Sequence, residues 1–322
     1  MKLKKLIPVT IFCVLISACS SNIADYITHS KSFPYDEIVS SEQIETWGFK
    51  KGSYRDTYRD LSISYLYAAP LEKGKIKYSI ETDSGQNTTT VALAIDRKAL
   101  KNSYSGTLIL LHGFRASKEF MLNSALYFRL LGFHVVIPDL LGHGESGGNK
   151  EYGVGDSKII NRLIDDLIDT GIIENQHIYL LGNSMGSLAA ARISQSRQDI
   201  SGLILQAPML EFDQAVYLYA KENFPLLSKA ISEDEIKIGA LTALKEANIR
   251  SQDTKIEPLI MNSSIPVLLF TSNTDPISPY DHFKNLDQGH IRVVNLPKRN
   301  HPSMAIIGDI EHRILQEWLT PD

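Results

Sequence analysis

The residues whose chemistry stands out are a serine between two glycines, in Gly182-Asn183-Ser184-Met185-Gly186, and, further along the chain, Asp275 and His301. A serine hydroxyl is a poor nucleophile until a base takes its proton, and the base in turn needs an acid to hold it. Gly-x-Ser-x-Gly alone says little, because at a glycine usage of about 7% a chain of this length contains one by accident roughly one time in ten. Context discriminates. The motif gains meaning at a sharp strand-to-helix turn, which forces the serine out at the carboxyl end of a sheet and sets a positive helix N-terminus beneath it. HIYLLG before Ser184 reads as the strand and MGSLAAARISQS after it as the helix.

Neither partner is distinctive by itself. His301 is one of nine histidines and lies in KRNHPSM, after the apolar IRVVNLP. A histidine before proline at a helix start is ordinarily a cap or a surface residue. Its place after Ser184 and Asp275 favours a base, since nucleophile, acid and histidine then come in the order this arrangement requires. Asp275, in TSNTDPISP, follows PVLLFTS; it reads as a turn aspartate beside a proline until that order is considered. An oxyanion needs two preorganised N–H donors. Met185, directly after the serine, would supply one. Phe114, in the His112-Gly113-Phe114 turn after TLILL, would supply the other, with His112 bracing the loop rather than acting as a base.

These residues need a scaffold. TLILLHG, HVVIPD, HIYLLGNS, GLILQAP, PVLLFTS and IRVVNLP are short apolar runs separated by stretches apolar at helical spacing, a pattern of parallel strands with crossover helices. KIKYSIET (75–82) and TVALAID (90–96), joined by the turn-rich DSGQNTT, predict a hairpin that opens the sheet. A helix from about Pro302 to Leu319 closes the chain. Residues 210–264 form too long a connection for a simple crossover and predict a helical cap insertion. Tyr217, Tyr219, Phe224, Leu226 and Leu227 within it would line an acyl pocket or form the cap's own core.

The chain has 322 residues, 43% hydrophobic and 22% charged, which suits one large domain with a sizeable core. A formal charge of −4 without long like-charge runs excludes a polyanion partner such as nucleic acid. Lys2, Lys4 and Lys5 before an apolar stretch from Leu6 to Ile16 read as an export signal. Ile16-Ser17-Ala18-Cys19 resembles the lipobox of bacterial lipoproteins, which implies removal of residues 1–18, a diacylated Cys19 and a place on a cell-envelope membrane. Ser20 after the cysteine is compatible with the outer membrane. Losing three lysines and no acid would take the charge from −4 to −7. Cys13 would leave with the signal and Cys19 would carry lipid, so no thiol remains for catalysis, a disulfide or a metal site. We expect no cofactor and no metal. Residues 19–74 read as a tether and lead-in, and 75–322 as the domain.

HGF, DLLGHGESGG, GNSMG and the loops of Asp275 and His301 together resemble the α/β-hydrolase superfamily, closest in style to its serine esterases, lysophospholipases and monoacylglycerol lipases. The resemblance runs from about Lys75 to the end. It implies an α/β fold with a mostly parallel sheet, an N-terminal antiparallel hairpin, helices on both faces and a cap. It also implies attack by Ser184 on the carbonyl of a small-molecule or lipid acyl ester, with His301 as base and Asp275 as its orienter. Thioester or amide cleavage is the alternative on the same triad, and a non-catalytic envelope binding protein the alternative of another class. The block Asp139 to Gly148 resembles a loop that shapes the site without reacting, and Asp139 is the residue most easily mistaken for the acid.

Overall fold

The computed structural model describes residues 20–84, 87–100 and 104–320. The expected leader and Cys19 lie outside the described residues. A helix over residues 20–29 (α1) and a short one at Ser41–Thr46 (α2) precede strands Lys50–Asp56 (β1) and Leu61–Ala68 (β2) and a ribbon of Lys75–Ser84 (β3) and Asn87–Asp96 (β4). Strands and helices then alternate: Thr107–Leu111 (β5), Leu122–Leu131 (α3), His134–Pro138 (β6), Asp156–Asp169 (α4), Ile178–Asn183 (β7), Met185–Ser196 (α5) and Ile200–Gln206 (β8). Four helices follow, Phe212–Asn223 (α6), Leu227–Ala230 (α7), Glu233–Glu246 (α8) and Glu257–Met261 (α9), before Val267–Thr271 (β9), Tyr280–Phe283 (α10), Ile291–Asn295 (β10) and Asp309–Leu319 (α11).

Eight strands make one sheet in the order β1-β2-β6-β5-β7-β8-β9-β10, parallel from β6 to β10 and antiparallel where β2 meets β1 and β6. All five residues of β5 and of β9 are buried. Along β5 the side chains divide between two cores: Ile109 and Leu111 pack with residues of α4 and α5, Leu108 and Leu110 with residues of α3 and α11. Helices on both faces explain why these strands read as unbroken apolar runs instead of alternating ones.

The expected hairpin forms, with Lys75 paired to Asp96 and Ser84 to Asn87, but it stands apart from the sheet as a two-stranded ribbon. Its alternation is the reason. Val91, Leu93 and Ile95 are buried while Lys75, Lys77, Ser79 and Glu81 are exposed, so the ribbon has one apolar face, and it lays that face beside α11. A strand inside the sheet must be covered on both faces. β2 meets that demand with four consecutive buried residues, Ile63 to Leu66. Residues 50–68, which the sequence pattern leaves in the lead-in, therefore build the antiparallel start of the sheet, and the domain does not begin at residue 75. β1 is the polar edge, rich in lysine and arginine, which guards against pairing with another chain. Its buried Asp56 accepts two hydrogen bonds from Arg162 of α4, at 2.9 and 2.6 Å, and these hold the carboxyl below its usual range.

The closing helix is shorter than its apolar pattern suggests: a 3-10 turn at Pro302–Ala305 is separated from α11 by Ile306 to Gly308. Residues 20–29 do not hang free. Ala24 and Ile27 of α1 are buried in the same core as Ala240 and Leu244 of α8, and Ile23 fills the space beside Gly239, where an added Cβ would lie 2.5 Å from it. Among the described residues, no helix is long and apolar enough to cross a membrane.

Candidate active site

Ser184 occupies the joint between β7 and α5 with φ 51° and ψ −117°. This backbone is unfavourable for a residue with a Cβ, costing on the order of 1–3 kcal/mol, and it lasts only because the surroundings overdetermine it. The Ser184 N–H donates to Gln206 O at 2.9 Å, and the Ser187 hydroxyl donates to Gly182 O at 2.8 Å. Both flanking glycines are required by space. A Cβ on Gly182 would lie 2.4 Å from Gly186 O, and one on Gly186 would lie 2.2 Å from Leu111 O. The turn is therefore too tight for any other residue at either place.

His301 and Asp275 come to this serine from two neighbouring loops. His301 Nε2 lies 2.9 Å from Ser184 Oγ, and His301 Nδ1 lies 2.7 Å from Asp275 Oδ2. The Asp275 side chain is fully buried, and its other oxygen accepts the N–H groups of Ile277 and Ser278 at 2.9 and 3.1 Å. The His301 side chain keeps 17% exposure, whereas the Asp275 carboxylate that it meets is closed from solvent. The two loops are tied together by the Thr274 hydroxyl, which donates to Arg299 O at 3.0 Å. Arg299 is buried beneath the histidine loop, donates to Ser303 O at 2.8 Å and ion-pairs with Glu311 of α11. The sequence reading missed this brace, since Lys298-Arg299-Asn300 looks like any polar loop.

The turn after β5 closes the third side. A Cβ on Gly113 would stand 3.2 Å from Ser184 Cβ, which places the start of the Phe114 residue directly beside the serine. His112 braces that turn as expected: its Nε2 accepts the Leu140 N–H at 3.0 Å, which leaves Nδ1 to donate to Gly113 O at 2.8 Å. This is a neutral ring, and full burial pushes its pKa down. Met185 opens α5, where the first N–H groups have no acceptor within the helix. The Phe114 ring is wedged among His143, Tyr152 and Phe212, with centroids 6.0, 6.4 and 6.5 Å away.

Asp139 is not the acid partner. Its carboxylate receives the Lys118 N–H and ammonium, both at 2.7 Å, and the Glu145 N–H at 2.9 Å. Burial alone would lower the Lys118 pKa, but Asp139 and Glu145 override it and hold the ammonium above its ordinary range. The Asp139 to Gly148 block is thus locked in place by its own buried ion pair and backbone bonds. In the cap, Tyr219 meets Phe224 edge-on at 6.2 Å, whereas Leu226 faces solvent at 81% exposure and lines nothing. The Leu227 side chain lies outside the described residues. A cavity of about 610 Å³ lies between residues 28–44, the turn at Ser117 to Glu119 and the loop at Gly142 to Lys150; Ser184, Asp275 and His301 do not line it.

Residues 102–255 match the model of the family described as serine aminopeptidase, S33. Together with the doubly covered parallel sheet and the serine turn, this match decides the fold. The chain has the α/β-hydrolase fold. It is 34% identical over 99 residues to Lipase 1 of Psychrobacter immobilis, a match that spans 30% of this chain and 30% of that relative. Its fold is similar to the esterase PF2001 of Pyrococcus furiosus, with a TM-score of 0.59 at 16% identity over 87% of this chain and 92% of the other. A bacterial membrane phospholipase A is likewise similar, with a TM-score of 0.55 at 18% identity over 98% of each chain.

Proposed function

We propose that the chain is a serine hydrolase that cleaves a carboxylic acyl ester through an acyl-enzyme. The observation that carries this reading is the unbroken line from Ser184 Oγ through both nitrogens of His301 to the buried Asp275 carboxylate. Ser184 Oγ attacks the ester carbonyl while His301 Nε2 takes its proton, and Asp275 holds the imidazole in the tautomer that leaves Nε2 free to accept. The tetrahedral oxyanion receives the N–H groups of Met185 and Phe114, each worth about 2.7–4 kcal/mol of transition-state stabilisation. His301 returns the proton to the departing alcohol, which leaves the acyl group on Ser184. Water, deprotonated by the same histidine, then releases the acid. An acyl ester is favoured as substrate because the similar proteins include a lipase, an esterase and a phospholipase.

The test is labelling with a fluorophosphonate, followed by peptide mapping and p-nitrophenyl ester turnover. An adduct on Ser184 together with turnover is expected; folded protein that neither labels nor turns over defeats the reading. A second reading, amide cleavage, is favoured by the aminopeptidase description of the matching family. Amino-acid p-nitroanilides hydrolysed faster than matched esters would select it. We further propose that Cys19 carries lipid and tethers the enzyme to a bacterial envelope membrane, so that Cys19→Ala moves it from the membrane to the soluble fraction. Unchanged membrane retention defeats the tether.

A further inference from the structure

Two cations flank Phe114, and both are bound to the same stretch of N-terminal backbone. Arg115 adopts φ 59°, its carbonyl accepts the Phe33 N–H at 2.8 Å, and its Nε and Nη1 donate to Lys31 O at 3.2 Å and Tyr26 Oη at 3.1 Å. Its guanidinium carbon lies 4.6 Å from the Phe33 ring centroid. Lys150 is almost wholly buried, with Nζ 5.7 Å from the centre of the Phe114 ring. That ammonium donates to Thr28 O at 3.0 Å, to Ser30 O and to Ser30 Oγ at 3.3 Å. Thr28 O belongs to the last turn of α1, where carbonyls lack intrahelical donors, so Lys150 caps that helix from across the fold. The Gly144 N–H donates to Ser32 Oγ at 3.0 Å and fixes the same stretch to the Asp139 to Gly148 block.

We propose that residues 26–33 are a strap that holds the Phe114 N–H in place over Ser184, with Arg115 and Lys150 as positioning residues for the oxyanion. The inference rests on the reading of Ser184 as nucleophile and deepens it. An oxyanion donor works only within about 2.7–3.1 Å of the developing charge, and a shift of about 1 Å can cost on the order of 100-fold in rate. The turn from His112 to Arg115 is fixed on its inner side by His112 and Gly113. On its outer side it depends on the strap, through the Arg115 carbonyl and guanidinium. The positive φ at Arg115 is strained for a residue with a side chain, and the strap contacts hold it there. Without them φ relaxes and the turn swings away from the serine.

Lys150→Met and Arg115→Met keep most of the apolar stems and remove the donors. Each should lower kcat for a short p-nitrophenyl ester by about 10- to 100-fold with KM within about threefold, and weaken binding of an alkyl trifluoromethyl ketone by a similar factor. Lys150→Arg should recover part of the loss. Amide hydrogen exchange over residues 112–116 should rise in both methionine variants, a readout that needs no turnover. Folded variants whose kcat and analogue affinity stay within twofold of an active parent overturn the strap, and so does unchanged exchange at 112–116 whether or not the parent is active. A parent that neither labels nor turns over overturns the proposed function instead, while the exchange measurement still decides the strap.

Discussion

Arg299 and Glu311, twelve residues apart, form an ion pair that is almost completely withdrawn from solvent beneath the His301 loop. Arg299 also donates to the carbonyls of Ser303 and Ile306, at 2.8 and 3.3 Å, and Glu311 accepts the Gly308 N–H at 3.1 Å. The pair therefore stitches the segment between β10 and α11 to itself. Removing one partner leaves a buried charge uncompensated, which costs about 3–5 kcal/mol. Arg299→Met should lose that much stability in urea unfolding and lower kcat through a loosened histidine. The double variant Arg299→Met, Glu311→Leu should recover most of the stability but less of the rate, because the carbonyls of Ser303 and Ile306 still lack their guanidinium donor, Ser303 O keeping only the Ile306 N–H at 3.1 Å.

Ser184 sits where only glycine is at ease, at φ 51° and ψ −117°. Ser184→Gly should therefore abolish ester turnover and raise stability by about 1 kcal/mol, the strain relieved minus the extra chain entropy glycine loses on folding. Ser184→Ala should abolish turnover without the gain, since its Cβ keeps the strain. Equal unfolding midpoints for the two variants would count against strain at this residue.

Asp275 is bonded on both oxygens, to His301 on one side and to two backbone N–H groups on the other. Asp275→Asn keeps the shape but offers a donor to His301 Nδ1, which favours the tautomer whose Nε2 carries a proton and cannot act as a base. A fall in kcat of about 10⁴-fold at neutral pH, with KM little changed, is the expected result. Stopped-flow acylation with a p-nitrophenyl ester measures it directly. A loss below tenfold would mean that another group orients the histidine.

The core of this site was legible in the sequence because its parts are local. A strand, a tight glycine turn and a helix are contiguous around Ser184, and Asp275 and His301 follow apolar runs that became β9 and β10. What the pattern concealed was long-range. β2 alternates from Leu61 to Tyr65, which reads as a strand with one wet face, yet Ser64 is buried and is accommodated by the Ser146 and Glu145 side chains more than eighty residues away. The hairpin at β3 and β4 has the stronger local pattern, yet its single apolar face suits a ribbon and not the two-sided interior of the sheet. Arg115 and Lys150 carry no local signal, since their partners in residues 26–33 lie more than eighty residues away, and the acid that pairs with Arg299 lies twelve residues beyond it, across a loop.

Lys150 gives a pH dependence with a definite sign. Burial lowers its pKa from 10.5 to about 8, and the nearby Arg115 guanidinium acts in the same direction. His143, whose own pKa burial pushes down to about 3, faces it as a neutral ring at this pH. The folded protein therefore releases the lysine proton near pH 8, while the unfolded chain keeps it until about 10.4. Between those values the unfolded state binds more protons, so the Lys150 contribution to stability rises with pH and does not fall. From pH 7.5 to 9.5 it should gain about 2 kcal/mol, at about 1.4 kcal/mol per pH unit within the window. Lys150→Met has nothing to titrate there. The difference in unfolding free energy between parent and variant, measured in urea at the two pH values, should shift by that amount in favour of the parent. A difference that is constant across the window means the ammonium is as well stabilised by the strap carbonyls as by water, and that burial does not govern its proton.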